Sequence, residues 1–267
     1  MNSTLKINWS VSALSLASLV VLGPLSGRAS SNLVANGDFE INGGTGQIGN
    51  YTTLANWTVG AATDSSPSAN VNVGDNSADA NGFNGNFGTI QLWGPNTPVG
   101  FSINTLSNPS PHPYGPVNNG FSADGGVGNY LAASATYANA PISQTISGLT
   151  VGETYDFMFD YAGAQGVDSL GVNTEGWHVT LGTDTLDTST LFNASEGFTG
   201  WQNYDTTITA TSTSETLTFE ATGGPSGANA YSLLDNVSLT AIAPTPEPAT
   251  LALGALGAAA WLLRRRK

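Results

Sequence analysis

The side chains able to do chemistry in this 267-residue chain are almost all carboxylates. The chain has 19 Asp and Glu, two His and no Cys. Because Cys is absent, thiol catalysis and thiolate metal sites are excluded. His112 lies between two prolines and His178 follows Trp177. Neither accompanies a Gly-x-Ser-x-Gly nucleophile motif or a His-Glu-x-x-His metal motif. The sequence therefore predicts no catalytic residue.

Carboxylates alone still allow two kinds of chemistry. Two of them about 5–9 Å apart can hydrolyse a glycosidic bond, and hard oxygen ligands can hold a divalent cation such as Ca²⁺. The sequence carries no glycosidase motif to select a catalytic pair. We therefore predict a non-enzymatic protein, with a secreted glycan-active enzyme as the alternative.

Charge divides the chain into a central segment and two ends. All six cationic side chains lie near the termini: Lys6, Arg28, Arg264, Arg265, Arg266 and Lys267. Residues 30–243 hold eighteen of the nineteen acids and no Lys or Arg, a formal charge of −18 with both His neutral. Nucleic-acid binding needs a basic surface and is excluded. Phosphate-substrate chemistry lacks its usual Lys and Arg clamp.

The first 29 residues have the pattern of a secretory signal peptide. Lys6 supplies the positive start, Val11 to Leu22 the apolar core, and Gly23-Pro24 the helix break. Ala29 is the predicted cleavage residue. The central segment is thus expected to be exported across the inner membrane.

The final residues, 244–267, have three parts in a fixed order. Pro246-Glu247-Pro248 precedes an apolar, helix-favouring run from Ala249 to Leu263, and a basic cluster ends the chain. Fifteen helical residues span about 22 Å, less than the ~30 Å hydrocarbon core. The basic cluster is expected to stay on the cytoplasmic side. A plain membrane anchor is one interpretation of this tail.

The tail also resembles the PEP-CTERM sorting signal of Gram-negative bacteria. The matching residues are Pro246, Glu247, Pro248, Arg264, Arg265 and Arg266. The resemblance implies recognition by an exosortase, a membrane-embedded cysteine transpeptidase, after transient insertion of the tail in the inner membrane. It also implies removal of the tail and delivery to the cell surface or to an exopolysaccharide or biofilm matrix.

Between the two ends, the pattern predicts an all-β domain over residues 30–243. Aromatic and polar residues alternate from Thr154 to Tyr161, and Tyr231, Leu233, Asp235, Val237 and Leu239 are expected to share one face of the last strand. Further strands are expected at Asn32–Phe39, Asn56–Val59, Phe87–Trp93, Asn129–Thr136, Ile142–Ile146, Gly176–Leu181, Tyr204–Ala210 and Leu217–Ala221. About ten such strands suggest two packed antiparallel sheets.

Residues 60–128 depart from the strand pattern. They are rich in Asn, Gly, Ser and Pro, with aromatic residues recurring among polar ones. Aromatic faces commonly hold sugar rings, so Trp93, Tyr114 and Phe121 are predicted to bind extracellular polysaccharide. The alternative is that these aromatics pin long loops to the sheets. Trp177 and Trp201 are expected to pack within the sandwich.

The order of several short motifs resembles the galactose-binding-like jelly rolls, particularly the family 4/9 carbohydrate-binding modules. The motifs are Asn36-Gly37-Asp38-Phe39-Glu40, then Trp57-Thr-Val, Gln144 to Tyr155, and Leu234-Asp235-Asn236-Val237. The resemblance implies a jelly-roll β-sandwich and a structural Ca²⁺ that joins the first and last strands. Its implied ligands are Glu40 and Asp235, with oxygens near Gly37 and Asp38. An inward-facing Asp235 in a domain without Lys or Arg is consistent with such an ion.

Overall fold

A computed structural model describes residues 31–41, 54–63, 73–76, 89–93, 102–103, 112–113, 128–165, 170–195, 197–242 and 263–265. The chain divides into two compact units, one being Ser30–Ile242 and the other combining Met1–Ala29 with Ala243–Lys267. The predicted signal helix and most of the predicted C-terminal helix lie outside the described residues. Within the described residues, no helix has the length and apolar character needed to cross a membrane.

The domain is built from β-strands, as predicted. In the described residues the strands are β1 (Thr58–Val59), β2 (Val73–Asn76), β3 (Ile90–Trp93), β4 (Ser102–Ile103), β5 (His112–Pro113), β6 (Tyr130–Ser134), β7 (Ile142–Ser147), β8 (Thr154–Gln165), β9 (Asn173–Leu181), β10 (Asp184–Asp187), β11 (Leu191–Asn193), β12 (Gln202–Thr209), β13 (Ser214–Gly224) and β14 (Ala230–Ala241).

Most of these strands form two sheets. The first sheet has the order β1-β7-β13-β9-β10, with β11 also paired to β9. The second sheet has the order β12-β8-β14-β6-β3-β2. Pairing is antiparallel, as predicted, except between β2 and β3, which are parallel. Strands β4 and β5 form a separate antiparallel pair.

The main core lies between the two sheets and is dominated by aromatic rings. The alternation predicted on β8 is present, with Phe157 and Phe159 fully buried against the first sheet. The Phe219 ring of β13 lies 5.1 Å from Phe159 and 5.8 Å from Trp177, edge to face in both cases. Such contacts add to the free energy gained by burying apolar area. The expectation that Trp177 packs inside the sandwich is confirmed.

The strand predicted at Asn32–Phe39 is wrong, because this segment forms turns. Asn36 and Phe39 have φ values of 51° and 55°. The Asn36 side chain holds the turn, since its Nδ2 donates to the carbonyls of Ile41 and Ala55 and its Oδ1 accepts from Ile41 N. An Asn amide can thus replace strand pairing for nearby backbone groups.

The face predicted for the last strand is also wrong. The register of β14 against β8 shifts between Asp235 and Ser238, and Asn236 has a φ of 52°. A bulge of this kind moves the following side chains to the other face. Leu233 therefore packs on the side away from the main core, whereas Val237 and Leu239 enter the core.

Candidate functional site

Five aromatic side chains lie on the outer face of the second sheet, the side turned away from the main core. They belong to a separate hydrophobic cluster that also contains Leu233. We call them the aromatic row: Phe198, Trp201, Tyr130, Trp93 and Tyr231. Trp93 and Tyr130 are fully buried, while Phe198, Trp201 and Tyr231 are half-buried. The row therefore brings apolar rings partly to the surface.

The rings of the aromatic row contact each other in an unbroken series. Centroid distances are 6.4 Å from Phe198 to Trp201, 5.5 Å from Trp201 to Tyr130, 6.3 Å from Tyr130 to Trp93 and 5.2 Å from Trp93 to Tyr231. Three of these contacts are edge-to-face, the geometry that aromatic quadrupoles favour. The rings thus restrain one another's orientation.

Small side chains beneath the rings explain how they fit. Ala132, Ala162 and Ala164 are buried in the same cluster. Since an alanine fills little volume above the sheet, larger rings from neighbouring strands can lie over it. Phe198 is placed there by a β-bridge between its backbone and Ala164. The alternation of large and small residues therefore shapes this face.

Hydrogen bonds fix part of the aromatic row. Gln91 Oε1 accepts from Trp93 Nε1 at 2.8 Å, and Gln91 Nε2 donates to the Tyr231 hydroxyl at 3.3 Å. The Tyr130 hydroxyl has no hydrogen-bond partner within the part of the chain that the structure describes. Burial, and secondly the charge of Asp235, raise the pKa of Tyr130 well above its ordinary value of 10.0. Tyr130 is therefore a neutral phenol in the folded protein.

A polar cluster lies on the same outer face as Ala162. Asp160 is paired with Asn203 across β8 and β12. Its Oδ1 accepts from Asn203 Nδ2 and its Oδ2 accepts from Asn236 Nδ2, both at 3.0 Å. Asn203 is exposed, and Asp160 and Asn236 are half-buried. Amide and carboxylate groups are thus available beside the apolar rings.

The predicted ligand-binding residues have different outcomes. Trp93 belongs to the aromatic row, but its ring is fully buried and presents no surface. Its position therefore matches the alternative packing role. Tyr114 and Phe121 lie outside the described residues. Trp201, expected to pack within the sandwich, is half-buried on the outer face instead. Sequence reasoning missed Tyr130, Phe198 and Tyr231, because only strand pairing brings them together.

The two acids implied to bind Ca²⁺ approach one strand, β6. Glu40 Oε1 accepts a hydrogen bond from Asn129 N, immediately before Tyr130. Asp235 is fully buried, its Oδ1 accepts from Asn236 N at 2.8 Å, and its charge acts on Tyr130. The carboxylates of Glu40 and Asp235 therefore come to the same end of β6. Their oxygen chemistry fits a calcium ion.

The other two residues implied for Ca²⁺ are already engaged. The Gly37 carbonyl accepts from Val237 N at 2.9 Å, and a Cβ at position 37 would collide with the Val237 carbonyl oxygen. Asp38 is exposed and its Oδ1 accepts from Glu40 N at 3.4 Å. Within the described segments, no three His, Asp or Glu side chains converge as a metal cluster.

A groove of about 660 Å³ lies elsewhere on the domain, at the β9 and β11 pair. Its lining residues are Val172, Asn173, Thr174, Phe192, Asn193, Ala194, Gly224 and Pro225. Glu175 follows the lining residue Thr174 on β9 and is 1% exposed. Burial raises the pKa of the Glu175 carboxyl to about 8, and the nearby Asn193 amide opposes part of this rise. This buried acid was not singled out by the sequence pattern.

The two histidines lie on different strands, β5 and β9. His112 is part of β5, and its backbone pairs with Ile103. His178 Nδ1 lies 2.7 Å from Asp187 Oδ1, and both side chains are well exposed. An exposed pair of this kind contributes little to stability.

The C-terminal residues 244–267 match the PEP-CTERM protein-sorting motif. The chain therefore carries this sorting motif, and the resemblance proposed from the sequence is confirmed. The motif indicates export and sorting to the cell surface in Gram-negative bacteria. No curated protein matches the chain.

Solved structures to which the chain is similar include carbohydrate-binding modules. TmCBM61 in complex with beta-1,4-galactotriose is 13% identical, with 80% of this chain and 100% of that chain covered and a TM-score of 0.39. A family 4 module (CBM4) is 15% identical, with 78% and 99% covered and a TM-score of 0.32. The enzymatically active domain of bacteriophage CBA120 tailspike protein 4 is 12% identical, with 79% and 21% covered and a TM-score of 0.37.

Proposed function

We propose that this protein is an exported, surface-sorted, non-enzymatic β-sandwich of jelly-roll type that binds polysaccharide through the aromatic row. The observation that carries the proposal is a continuous series of rings, three of them half-buried, on the outer face of the second sheet. A sugar ring can pack its C–H face on such rings, because this contact removes apolar area from water on both sides.

Polar groups beside the rings support the same proposal. A saccharide lying on Trp201 brings hydroxyl groups towards Asp160 and Asn203, whose side chains already form a hydrogen-bonded pair at 3.0 Å. Sites for polar ligands typically combine an apolar surface with a few placed hydrogen-bonding groups. Each carboxylate oxygen of Asp160 accepts a hydrogen bond from an Asn side chain, Asn203 or Asn236. We therefore assign Asp160 to binding rather than to acid–base catalysis.

Charge restricts the class of polysaccharide. Residues 30–243 carry eighteen carboxylates and no Lys or Arg. A uronate-rich or sulfated polymer would be repelled by this charge, whereas a neutral polymer would not. The proposed ligand is therefore a neutral extracellular polysaccharide, and association with an exopolysaccharide matrix follows from the sorting motif. Tyr114 and Phe121 stay as predicted contributors to binding.

Polysaccharide pull-down and glycan-array binding with the full-length chain test the proposal. We expect binding to neutral glycans, weaker binding of the Trp201→Ala variant, and no reducing-end release in a parallel hydrolysis assay. Hydrolysis by the wild-type chain would instead favour a glycan-active enzyme. Equal binding by wild type and Trp201→Ala would place the ligand away from the aromatic row.

Processing of the tail by an exosortase is a separate part of the proposal. Pro246-Glu247-Pro248 and the basic cluster ending at Lys267 support it, because these residues form the matched motif. Mass spectrometry of the mature C-terminus in the native host tests it. We expect loss of Arg264 to Lys267. Their retention at full-length mass would favour a membrane anchor.

A structural Ca²⁺ at Glu40 and Asp235 is the third part. When bound, the ion would supply positive charge to two carboxylates and tether the N-terminal turn to β14. Residues near this place already tie the same segments, since Leu33 N donates to Leu239 O at 2.9 Å. EDTA is expected to lower the melting temperature of wild type and to change that of Asp235→Asn less. An unchanged melt in EDTA would contradict this ion.

A further inference from the structure

Glu175 is a buried acid whose carboxyl oxygens have no hydrogen-bond partner among the described residues. It lies on β9 with 1% of its surface exposed, and its carboxyl is packed against Gly163 of β8, where a Cβ would collide with Glu175 Oε2. Neither carboxyl oxygen forms a hydrogen bond in the part of the chain that the structure describes. Asn193 is nearby, but it makes no hydrogen bond of acceptable geometry to either oxygen. Burying the charged form of such a group without a partner is unfavourable.

Asn173 adds a second unpartnered group on the same side of β9. It lies two residues before Glu175, so both side chains point to the same face of the strand. Asn173 is 2% exposed, and neither its Oδ1 nor its Nδ2 has a hydrogen-bond partner within the described residues. Asn173 also lines the groove, directly opposite Asn193 of β11. The groove therefore reaches Asn173, and Glu175 lies two residues further along the same face of β9.

A protein cation cannot neutralise Glu175. Residues 30–243 contain no Lys or Arg. His178 also lies on β9, but its side chain pairs with Asp187 on the outer face of the first sheet. Positive charge for Glu175 is therefore not supplied within residues 30–243 and comes from a proton or from a cation in solution.

We propose that Glu175 and Asn173 form a binding site for a hard divalent cation, entered from the groove. Glu175 supplies two carboxylate oxygens and Asn173 supplies Oδ1, and water from the groove completes the coordination. Oxygen-only ligands select Ca²⁺ or a similar hard ion over softer metals. A saccharide is a poorer occupant, because a sugar ring cannot reach the carboxyl of a side chain that is 1% exposed.

The site is independent of the proposed glycan binding and of the ion predicted at Glu40 and Asp235. A single carboxylate gives a weak site, in the range of about 10⁻⁴–10⁻³ M that suits extracellular Ca²⁺ modules. At such concentrations outside the cell, the ion would be bound only after export. The groove would then be stabilised at the place where the protein acts.

Calcium titration of the full-length chain, after EDTA treatment and dialysis, tests the proposal. The readouts are isothermal calorimetry and the melting temperature, with Ca²⁺ alone as the probe. We expect Glu175→Gln to weaken the submillimolar-to-millimolar affinity by tenfold or more, and Asn173→Ala by about threefold. Asp187→Asn, which removes an exposed acid of the same sheet, and Asp235→Asn are expected to retain this affinity.

The metal-free melting temperature separates a cation site from a purely structural acid. Glutamine has the shape of glutamate without its charge, so Glu175→Gln should melt at or above the wild-type temperature in EDTA. It should also lose the part of the Ca²⁺ response that Asp235→Asn retains. Wild-type Ca²⁺ affinity in both Glu175→Gln and Asn173→Ala would overturn the proposal. A Glu175→Gln melt far below wild type in EDTA would also overturn it, because Glu175 would then have a partner within the protein.

Discussion

The aromatic row and the groove differ in what each leaves unsatisfied. The row keeps apolar rings of Phe198, Trp201 and Tyr231 partly at the surface. The groove does the reverse, because Asn173 and Glu175 bury polar atoms that have no partner in the described residues. The aromatic row thus exposes apolar surface to water, whereas the groove region buries polar atoms that water would otherwise solvate.

This difference indicates two kinds of ligand. Exposed apolar rings gain free energy when another apolar surface covers them, which a sugar face can do. A buried carboxylate gains most from a positive charge, which a sugar cannot supply. Both features remain compatible with a stable domain, because the aromatic core between the sheets is extensive.

The largest effect is expected from truncating Trp93, one of the two fully buried rings of the aromatic row. Trp93→Ala should lower the free energy of unfolding by about 3–5 kcal/mol, since it removes a fully buried indole and leaves a cavity. Phe192→Ala is the matched control in the groove, where the ring is 83% exposed, and should change stability by less than about 0.5 kcal/mol. Urea unfolding measures both. Similar losses in the two variants would remove the contrast between the regions.

The next effect is a pH dependence that belongs to the groove region. In metal-free protein the folded-state pKa of Glu175, about 8, lies above its ordinary value of 4.5. Between these values the folded protein binds more protons than the unfolded chain, so its stability falls as pH rises. We expect a loss of about 2–4 kcal/mol from pH 5 to pH 8.5 in EDTA.

Glu175→Gln should flatten this pH profile, because glutamine does not titrate. Urea unfolding at several pH values, with wild type and Trp93→Phe in parallel, measures the slope. A variant in the aromatic row should keep the wild-type slope. If Glu175→Gln kept it as well, the pH dependence would come from other carboxylates.

A smaller effect is expected on polysaccharide affinity, which should depend on the aromatic row and not on the groove. Trp201→Ala should weaken binding to a neutral polysaccharide by about 1–2 kcal/mol, roughly tenfold to thirtyfold, as truncation of a binding aromatic commonly does. Phe192→Ala should bind as wild type. Affinity electrophoresis or calorimetry provides the comparison. The reverse result would assign saccharide binding to the groove.

The smallest effect is expected at the exposed pair on the first sheet. Asp187→Asn removes the contact with His178 but should change the free energy of unfolding by less than about 0.5 kcal/mol. It also removes one of eighteen acids without touching Glu175. A large change here would mean that general charge repulsion, rather than burial of Glu175, controls the pH response.

Local patterns predicted much of the fold. The alternation from Thr154 to Tyr161 needs only period-two burial, and it is present on β8. The Asn32–Phe39 segment misled the same reasoning, because Asn36 satisfies the turn through its side chain. The bulge at Asn236 could not be predicted from the sequence either, since a register shift depends on the partner strand β8.

The candidate sites were less accessible to such reasoning. Trp93 was identified as an aromatic of interest, but its burial under neighbouring rings could not be read from its flanking residues. Tyr130 and Trp201 are 71 positions apart in the sequence, and their rings meet only through the second sheet. Glu175 resembled any other acid in a strand, because desolvation is a property of packing.

By itself, the sequence determined the all-β class of the domain, its charge and the sorting signal. Strand periodicity, the confinement of Lys and Arg to the two ends and the motif at residues 244–267 are all local or additive properties. Tertiary structure decided which side chains meet. The bulge placed Val237 and Leu239 in the main core although Leu233 faces outward with Trp93, and packing of β9 on β8 buried Glu175. These outcomes depend on register and on contacts between distant segments, which local composition does not encode.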